Sequence, residues 1–267
     1  MCKILKVPRS TFYYKPTTKV CDAQLENAVI QEFRASRNNF GTRKLKIVLA
    51  RKTDKHEPIF VSRRRIRDVM RKYNLVSNYT IKTAPKGKKL LVNNDEIPNI
   101  VNREFDNREP LEVVVSDLTY VKVAGKWNYI CLLIDLQSRM IIGFAAGKSK
   151  SAQLVKKAFF SVQTDLRKVK LFHTDRGSEF KNFVIEQILT AFKIERSLSA
   201  KGSPIDNAVS ESMYSVVKTE FAFQREFVDF DELELDLFDW VNWYNYQRPH
   251  GSLGYRTPSE AAGAFPG

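Results

Sequence analysis

Residues 168–220 read KVKLFHTDRGSEFKNFVIEQILTAFKIERSLSAKGSPIDNAVSESMYSVVKTE. The short apolar run Val169–Phe172 predicts a strand that ends just before Asp175. A helix, another short strand and the Pro-containing loop Gly202–Ile205 follow, and the next predicted helix carries Glu211. Asp175 and Glu211, with 35 residues between them, are thus expected on a strand end and on a helix. This arrangement suits two carboxylates that converge on a divalent metal ion, with a third ligand from elsewhere in the chain.

The positive charge of the chain is concentrated in its first part. Residues 1–110 contain 25 Lys and Arg against 11 Asp and Glu, whereas residues 111–267 contain 19 of each. Such a basic block is typical of a segment that binds a polyanion such as nucleic acid, and a solvated lysine-rich surface is the alternative. The apolar runs, such as Tyr129–Ile134, are far too short to span a membrane. Because no secretory start is visible, we expect an intracellular protein.

The basic part predicts a small all-helical domain over residues 1–75 and a basic linker over residues 76–110, lying along nucleic acid or in solvent. After a short helical piece at the start, helices are predicted at 22–36, 43–52 and 63–73. Ser62 is the expected N-cap of the last helix, which exposes four arginines: Arg63, Arg64, Arg67 and Arg71. Two helices joined by a bend, the second strongly basic, resemble a DNA-binding helix-turn-helix. A helical bundle with a solvated basic face is the alternative.

Residues 111–267 show a different pattern, which predicts an α/β domain. Apolar residues 113–115 lead to Asp117, and strands are predicted at 119–123, 127–134, 140–146, 169–172 and 194–198. Helices are predicted at 151–166, 179–192, 206–223 and 230–246. The resulting βββαβ order is consistent with a mixed sheet flanked by helices.

Three acids stand out in this domain: Asp117 after the apolar strand-like run 113–115, Asp175 after the predicted strand 169–172, and Glu211 on a helix. Three carboxylates on rigid supports suit one or two Mg²⁺ or Mn²⁺ ions that promote phosphoryl transfer. Caps and surface acids are the structural alternative for all three. Of the other acids, Asp135 is expected to cap a turn rather than bind metal. Glu179 and Asp206 are expected to begin the helices that follow them.

Several motifs resemble those of one known family. SDLTYV, HTDRGSEF, SPIDNAVSES and WYNYQRPHGSLGYRTP are similar to motifs of the DDE transposases of the IS3 group, in the retroviral-integrase-like superfamily, and LKVPRSTFYY and FGTRKLKIVL extend the likeness towards the N-terminus. The resemblance implies an RNase H-like fold with a mixed five-stranded sheet. It also implies a metal-binding triad of Asp117, Asp175 and Glu211, in a Mg²⁺-dependent enzyme that cuts element ends and joins a 3′-OH to another phosphodiester.

Further basic residues are candidate DNA contacts. Lys218 lies two helical turns beyond Glu211 on the same predicted face, which indicates a contact with a DNA end, and a solvated lysine is the alternative. Arg176 beside Asp175 is either a phosphate contact or a counter-charge. Arg248 in the RPH motif either contacts DNA phosphate or belongs to a structural turn. Most of the aromatic residues at 240–246 are expected in the core rather than on nucleic-acid bases.

The family resemblance also implies partners. They are double-stranded DNA (terminal repeats and target), a homo-oligomer assembled on that DNA, and an upstream-frame product or fusion. That product carries a helix-turn-helix and a zipper, and no sustained heptads occur in this chain. A bacterial, nucleoid-associated location follows from this reading. Two alternatives to a transposase are an RNase H-like nuclease without strand transfer and a transposase-derived DNA-binding regulator.

Overall fold

A computed structural model of the chain describes residues 23–51, 57–80, 100–101, 108–199 and 208–263, with only the backbone given at 208 and 209. The predicted first helical piece, the lysine-rich part of the linker and Asp206 lie outside these ranges. The described residues fall into two compact units, one drawn from residues 1–35 and 40–75 and the other from residues 36–39 and 76–267. Within the described ranges, no helix has the length and apolarity required to cross a bilayer.

The described residues of the first unit form three mutually packed helices: α1 (Ala23–Ala35), α2 (Thr42–Leu49) and α3 (Arg63–Lys72). Their buried positions recur every three to four residues, so each helix turns one apolar stripe inward: Leu25, Val29 and Phe33, then Leu45 and Leu49, then Ile66, Val69 and Met70. The predicted N-cap of α3 is confirmed, because the Ser62 hydroxyl accepts a hydrogen bond from the backbone N–H of Arg65 at 3.4 Å.

The connection between α2 and α3 departs from a helix-turn-helix. Residues 50–62 separate the two helices, whereas the motif has a turn of three or four residues. The basic helix predicted from the sequence is therefore present, but the tight turn that would define the motif is not found between these two helices.

The second unit is built on a mixed five-stranded sheet, which confirms the predicted fold class. Its strands are β1 (Val113–Val123), β2 (Lys126–Asp135), β3 (Ile141–Gly147), β4 (Leu171–Thr174) and β5 (Glu195–Leu198), in the order β3-β2-β1-β4-β5. β1 pairs antiparallel with β2 and parallel with β4. β2 is buried from residue 130 to 135, as its continuous apolar sequence predicts for a central strand.

Helices cover both faces of this sheet. α4 (Ala152–Phe160) and α5 (Phe183–Phe192) share a core with the β-strand residues on the Val114 side of the sheet. α4 approaches β3 closely, since a Cβ on Gly143 would lie 2.5 Å from the Ala158 carbonyl oxygen. It ends earlier than the predicted residue 166 because Ser161 bonds the Ala158 carbonyl and accepts from the N–H of Phe144, each at 2.8 Å.

The opposite face carries the later helices, α6 (Ala208–Val217), a π-helical turn (Lys218–Ala222), α7 (Phe230–Tyr246) and α8 (Pro258–Ala262). The bounds of α7 agree with the prediction, and Trp240, Trp243 and Tyr244 are buried there as expected. Short 3-10 segments lie at Asn78–Thr80, Leu166–Lys168 and Gly251–Leu253.

Part of the predicted linker packs within the second unit. The Tyr79 hydroxyl donates to the Glu220 carboxylate, and the backbone N–H of Ile100 donates to Ser197 Oγ at 3.0 Å. Val101 is fully buried. The prediction of a linker in solvent or on nucleic acid is therefore wrong for these described residues.

Candidate active site

The structure places Asp117 and Asp175 side by side. β1 and β4 run parallel with Ser116 opposite Thr174, so the next residue of each chain segment is an aspartate. Neighbouring strands lie about 4.8 Å apart, and residues opposite each other direct their side chains to the same face. Asp117 lies within β1 rather than after it, which corrects the predicted position, whereas Asp175 directly follows β4 as predicted.

The two carboxyl groups are electrostatically strained. Burial, and then the negative charge of Asp175, raise the pKa of Asp117 to about 7. Burial also raises the pKa of Asp175, with a further contribution from Glu179, against the lowering effect of a hydrogen bond from the Gly177 N–H at 2.9 Å. Ionising both groups costs free energy because each disfavours the charge of the other. A cation bound between them would remove that cost.

Glu179 is a third acidic group near this pair, and its predicted role was wrong. It lies in a turn, and α5 begins only at Phe183 with Asn182 as its N-cap. Its side chain is almost fully buried and folds back over the chain, since a Cβ on Gly177 would lie 2.4 Å from Glu179 Oε1. The four-residue spacing from Asp175 was the only sequence signal that could have placed Glu179 here.

Lys150 supplies a positive charge that the sequence did not reveal. Its Nζ lies 2.8 Å from Glu179 Oε1. Burial lowers the pKa of Lys150, but the hydrogen bond to Glu179 and the charges of Glu179, Asp175 and Asp117 raise it more. The lysine stands directly before the first turn of α4, and nothing in the local pattern distinguishes it from the other lysines of the chain.

Glu211 lies exposed on α6, one turn before Tyr214. Tyr214 ties this helix to the sheet, because its hydroxyl donates to the Asp117 carbonyl and accepts from the N–H of Leu132 at 2.9 Å. In the part of the chain that the structure describes, no three acidic, His or Cys side chains converge enough to hold a metal ion. The structure thus brings two of the three predicted carboxylates together and anchors the helix of the third beside them.

Asp135 takes the capping role predicted for it. One carboxylate oxygen accepts from the backbone N–H of Ser138 at 2.9 Å and from its hydroxyl, and the other accepts from the N–H of Leu111 at 2.9 Å. The aspartate closes the β2–β3 turn and has its hydrogen-bonding capacity committed there.

Lys218 and Arg176, the two predicted DNA contacts near the acids, contact different groups in the structure. Lys218 begins the π-helical turn, and its Nζ lies 5.3 Å from the ring centre of Tyr120. Arg176 donates through Nε to the Ser199 carbonyl at 3.1 Å. It also lines an open cleft of about 220 Å³ beside Asp175, together with Lys181 and Arg196. Both remain predicted DNA contacts.

Arg248 is not available for DNA in this structure, which corrects the prediction. It is 4% exposed and forms a two-pronged ion pair with the Glu220 carboxylate at 2.8 and 2.7 Å. Its neighbour His250 accepts or donates a 2.5 Å hydrogen bond with the Tyr244 hydroxyl. The RPH motif therefore forms a structural turn, which was the open alternative.

The four arginines predicted to contact DNA, Arg63, Arg64, Arg67 and Arg71, are exposed on α3. Arg63 Nε lies 3.4 Å from the Thr42 hydroxyl. A strip of guanidinium groups on one helix face can bind the phosphates of a DNA backbone, so the prediction for these residues keeps its physical basis.

The chain is similar to known proteins in its sequence and in its fold. Two models described as "Integrase core domain" match residues 107–204 and 192–258, and together they span more than half of the chain. The 31 kDa protein of insertion element IS600 from Shigella sonnei is 28% identical over 97% of this chain and 96% of its own length. The transposase for insertion sequence element IS629, also from Shigella sonnei, is 25% identical over 99% of this chain and 91% of its own length.

One similar solved structure is the HTLV-2 integrase catalytic core domain in complex with magnesium. It has a TM-score of 0.45 and 15% identity, and the alignment covers 58% of this chain and 97% of that chain.

Proposed function

This chain belongs to the DDE transposase and integrase superfamily, and we propose that it cuts DNA at the ends of an insertion sequence and joins them to target DNA. One observation carries the proposal. Asp117 and Asp175 stand side by side on one sheet face, inside the part of the chain that matches the integrase core. Paired carboxylates on adjacent strands, Asp117 within β1 and Asp175 directly after β4, have the rigid support that metal-assisted phosphoryl transfer requires.

The donor set fits a hard divalent cation. Carboxylate oxygens are the ligands that Mg²⁺ prefers, and the raised pKa of both aspartates indicates a pair that a bound cation would stabilise. Asp117 and Asp175 would hold the ion, and we propose Glu211 as the third ligand. Mg²⁺ or Mn²⁺, as one ion or two, would supply Lewis-acid activation of water and phosphate oxygens.

The chain itself supplies orientation. The Leu118 N–H donates to Asp117 Oδ1 at 2.7 Å, and the Gly177 N–H donates to Asp175 Oδ1. Each carboxylate is thereby fixed before substrate binds, which lowers the entropic cost of reaching the reactive geometry. Tyr214 holds α6 against the backbone of Asp117, and this anchored helix is the support from which Glu211 would reach the proposed metal ion.

We propose two chemical steps. Water first attacks a phosphodiester at the element end, and the bond from phosphorus to the 3′ oxygen breaks to leave a 3′-OH and a 5′-phosphate. That 3′-OH then attacks a phosphodiester of the target strand, so one phosphoester bond forms while another breaks. The second step conserves the number of phosphoester bonds and needs no external energy source.

The basic part of the chain is proposed to bind the same DNA. The exposed arginines of α3 would contact backbone phosphates, and Lys218 and Arg176 would contact DNA near the reacting bond. The partners we propose are double-stranded terminal-repeat and target DNA, further copies of this chain on that DNA, and an upstream-frame product. Such a protein would act at the bacterial nucleoid.

Strand transfer by the purified protein tests the proposal. Labelled DNA carrying the element ends is incubated with Mg²⁺ or Mn²⁺, and the products are resolved on a denaturing gel. We expect cleaved and joined products from the natural protein, and loss of both by at least about a hundredfold for Asp175→Asn. Asp165→Asn is the matched control, because Asp165 is an exposed acid paired locally with Arg167, outside the site.

Each other outcome contradicts the proposal in a defined way. Full activity of Asp175→Asn would exclude the carboxylate pair as the reactive centre. Cleavage without joining would indicate a nuclease of the same fold, and DNA binding without cleavage would indicate a regulator.

A further inference from the structure

A partly exposed group of aromatic and basic side chains lies where the β1–β2 hairpin meets the π-helical turn. Tyr120 and Trp127 pack edge to face with ring centres 5.0 Å apart, and Phe223 lies 6.4 Å from Tyr120. Lys122 Nζ is 5.3 Å from the Trp127 ring centre, and Lys218 Nζ is 5.3 Å from that of Tyr120. These five residues, Tyr120, Lys122, Trp127, Lys218 and Phe223, are called the hairpin site below.

Trp127 of the hairpin site is far more exposed than the other tryptophans of this chain. Trp127 is 48% exposed, whereas the other two tryptophans, Trp240 and Trp243, are 0% and 5% exposed. Phe223 is also exposed. Leaving a tryptophan in water forfeits about 2 kcal/mol of burial free energy. Large aromatic side chains grouped on a surface therefore indicate a binding site rather than a folding requirement.

The hairpin site has a rigid framework. A tight turn with positive φ at Ala124 and Gly125 joins β1 and β2 and brings Lys122 opposite Trp127. The Ala124 N–H donates to the Phe227 carbonyl at 2.9 Å, which ties the hairpin tip to the segment after the π-helical turn. The aromatic rings are thus held on three connected elements before any ligand binds.

The two lysines of the hairpin site, Lys122 and Lys218, indicate which kind of ligand it binds. Among the described residues, neither Lys122 nor Lys218 forms an ion pair with a carboxylate, and each lies over an aromatic ring instead. Cores of protein–protein interfaces are depleted in lysine, which disfavours a second copy of this chain as the occupant. Aromatic rings that stack on bases, together with lysines that bind phosphates, are the combination by which proteins hold single-stranded nucleic acid.

The position of the hairpin site relative to Asp117 and Glu211 is consistent with a nucleic-acid ligand. Tyr120 lies three residues beyond Asp117 along β1, about 10 Å away, and its side chain leaves the other face of the sheet, where β4 no longer pairs with β1. Trp127 and Lys122 lie opposite each other five residues beyond Asp117, about 17 Å along the strand. Lys218 lies seven residues beyond Glu211, about 10 Å at the helical rise, and connects the helix of that acid to the Tyr120 ring. The hairpin site is therefore within about five nucleotides of a phosphate placed between these acids.

We propose that the hairpin site binds an unpaired nucleotide of the DNA end, a few nucleotides from the reacting phosphodiester, by stacking its base on Trp127 and holding its phosphate with Lys122 and Lys218. This inference rests on the proposed function, because it takes the substrate to be a DNA end. It adds that the end is held with at least one base out of the duplex. The stacked base fixes how far the strand enters the site.

Binding without divalent metal tests this inference separately from catalysis. The probes are a duplex with a short 3′ overhang containing 2-aminopurine and a blunt duplex of the same sequence, both in EDTA. We expect the natural protein to quench the overhang fluorescence through stacking. Trp127→Ala is expected to abolish the quenching and weaken overhang binding by about tenfold, while blunt-duplex binding changes less than twofold.

The controls separate stacking from folding. Trp127→Phe keeps an aromatic ring and is expected to retain most of the quenching. Phe160→Ala is the matched control, because Phe160 is also exposed with a lysine, Lys156, 5.3 Å from its ring centre, but lies on α4. It is expected to leave both probes unaffected.

Three results would overturn the inference. They are equal loss of affinity for both probes, no change for Trp127→Ala, and a loss of self-association in Trp127→Ala seen by sedimentation. Strand transfer that persists without any overhang preference would reject the inference alone. Overhang binding without strand transfer would reject the proposed function alone.

Discussion

Two buried charged clusters in the second unit are organised in opposite ways. Around Arg248, the charges cancel: the guanidinium and the Glu220 carboxylate are almost fully buried and pair through two hydrogen bonds, and the Tyr79 hydroxyl donates to the same carboxylate. Around Asp117, the charges repel: Asp175 and Glu179 share its sign, and the half-exposed Lys150 offsets only part of it.

This difference in charge balance distinguishes a cluster that stabilises the fold from a cluster that favours the binding of a cation. The charges of the Arg248 cluster balance one another without a further ion. Its residues hold the π-helical turn (Glu220), the RPH motif (Arg248) and the start of the predicted linker (Tyr79) in fixed positions relative to one another. A cluster with excess negative charge lowers the stability of the folded chain unless a cation binds. The excess negative charge around Asp117 is thus consistent with the cation site that we propose there, whereas the acid paired with Arg248 belongs to the core.

The largest stability loss is expected for Arg248→Met. Removal of the guanidinium leaves the Glu220 carboxylate buried without a counter-charge, which costs about 3–5 kcal/mol of unfolding free energy. Urea denaturation at pH 7 measures the change. Arg167→Met is the matched control, since it breaks the exposed Asp165–Arg167 pair, and solvent-exposed pairs contribute little to stability. Similar losses for the two variants would show that the buried pair is not the structural element described.

Asp117→Asn is expected to raise stability at pH 8. Because the pKa of Asp117 is about 7 in the folded chain and lower when unfolded, the folded state holds its proton more tightly. Its contribution to stability is complete below about pH 4 and is lost as the pH rises through about 7. Removing the ionisable group should therefore stabilise the protein by on the order of 2–3 kcal/mol at pH 8 and flatten the decline between pH 4 and 7.

Unfolding curves at pH 5 and pH 8, with and without Mg²⁺, check this expectation. The ion should stabilise the natural protein at pH 8, where the carboxylates are charged, and should have less effect on Asp117→Asn. A variant that is less stable than the natural protein at pH 8 would show that the repulsion does not exist. Asp135→Asn should lose stability instead, because Asp135 caps a turn.

The parts of the fold that depend on residues close together in the chain could be predicted from the sequence. The apolar run Tyr129–Ile134, the stripe of α7 and the capping oxygens of Asp135 each follow from residues close in the chain. Spacing and the family motifs together led to Asp117 and Asp175. What the sequence could not supply was the register that sets these two aspartates side by side, since it depends on how two distant strands align.

The charge partners were not predictable for the same reason. Arg248 pairs with Glu220 and contacts Tyr79, and Glu179 pairs with Lys150, over separations that no helical or strand period encodes. From the sequence, Arg248 in a polar motif therefore suggested a contact with a phosphate. In the structure its guanidinium is instead paired with the Glu220 carboxylate in the core. The turn that holds Glu179 also replaced a predicted helix start, because the glutamate folds back over Gly177.

The smallest effect is expected for Tyr79→Phe. The ring stays in place, and only the hydroxyl that donates to Glu220 is lost, while the Arg248–Glu220 pair remains. Loss of one hydrogen bond to a charged, buried acceptor costs about 1.5 kcal/mol. Urea denaturation should show that decrease. In the Arg248→Met background, Tyr79→Phe should cost more, because the tyrosine is then the remaining described partner of the Glu220 carboxylate. Additive losses in the double variant would mean that the three groups do not form one cluster.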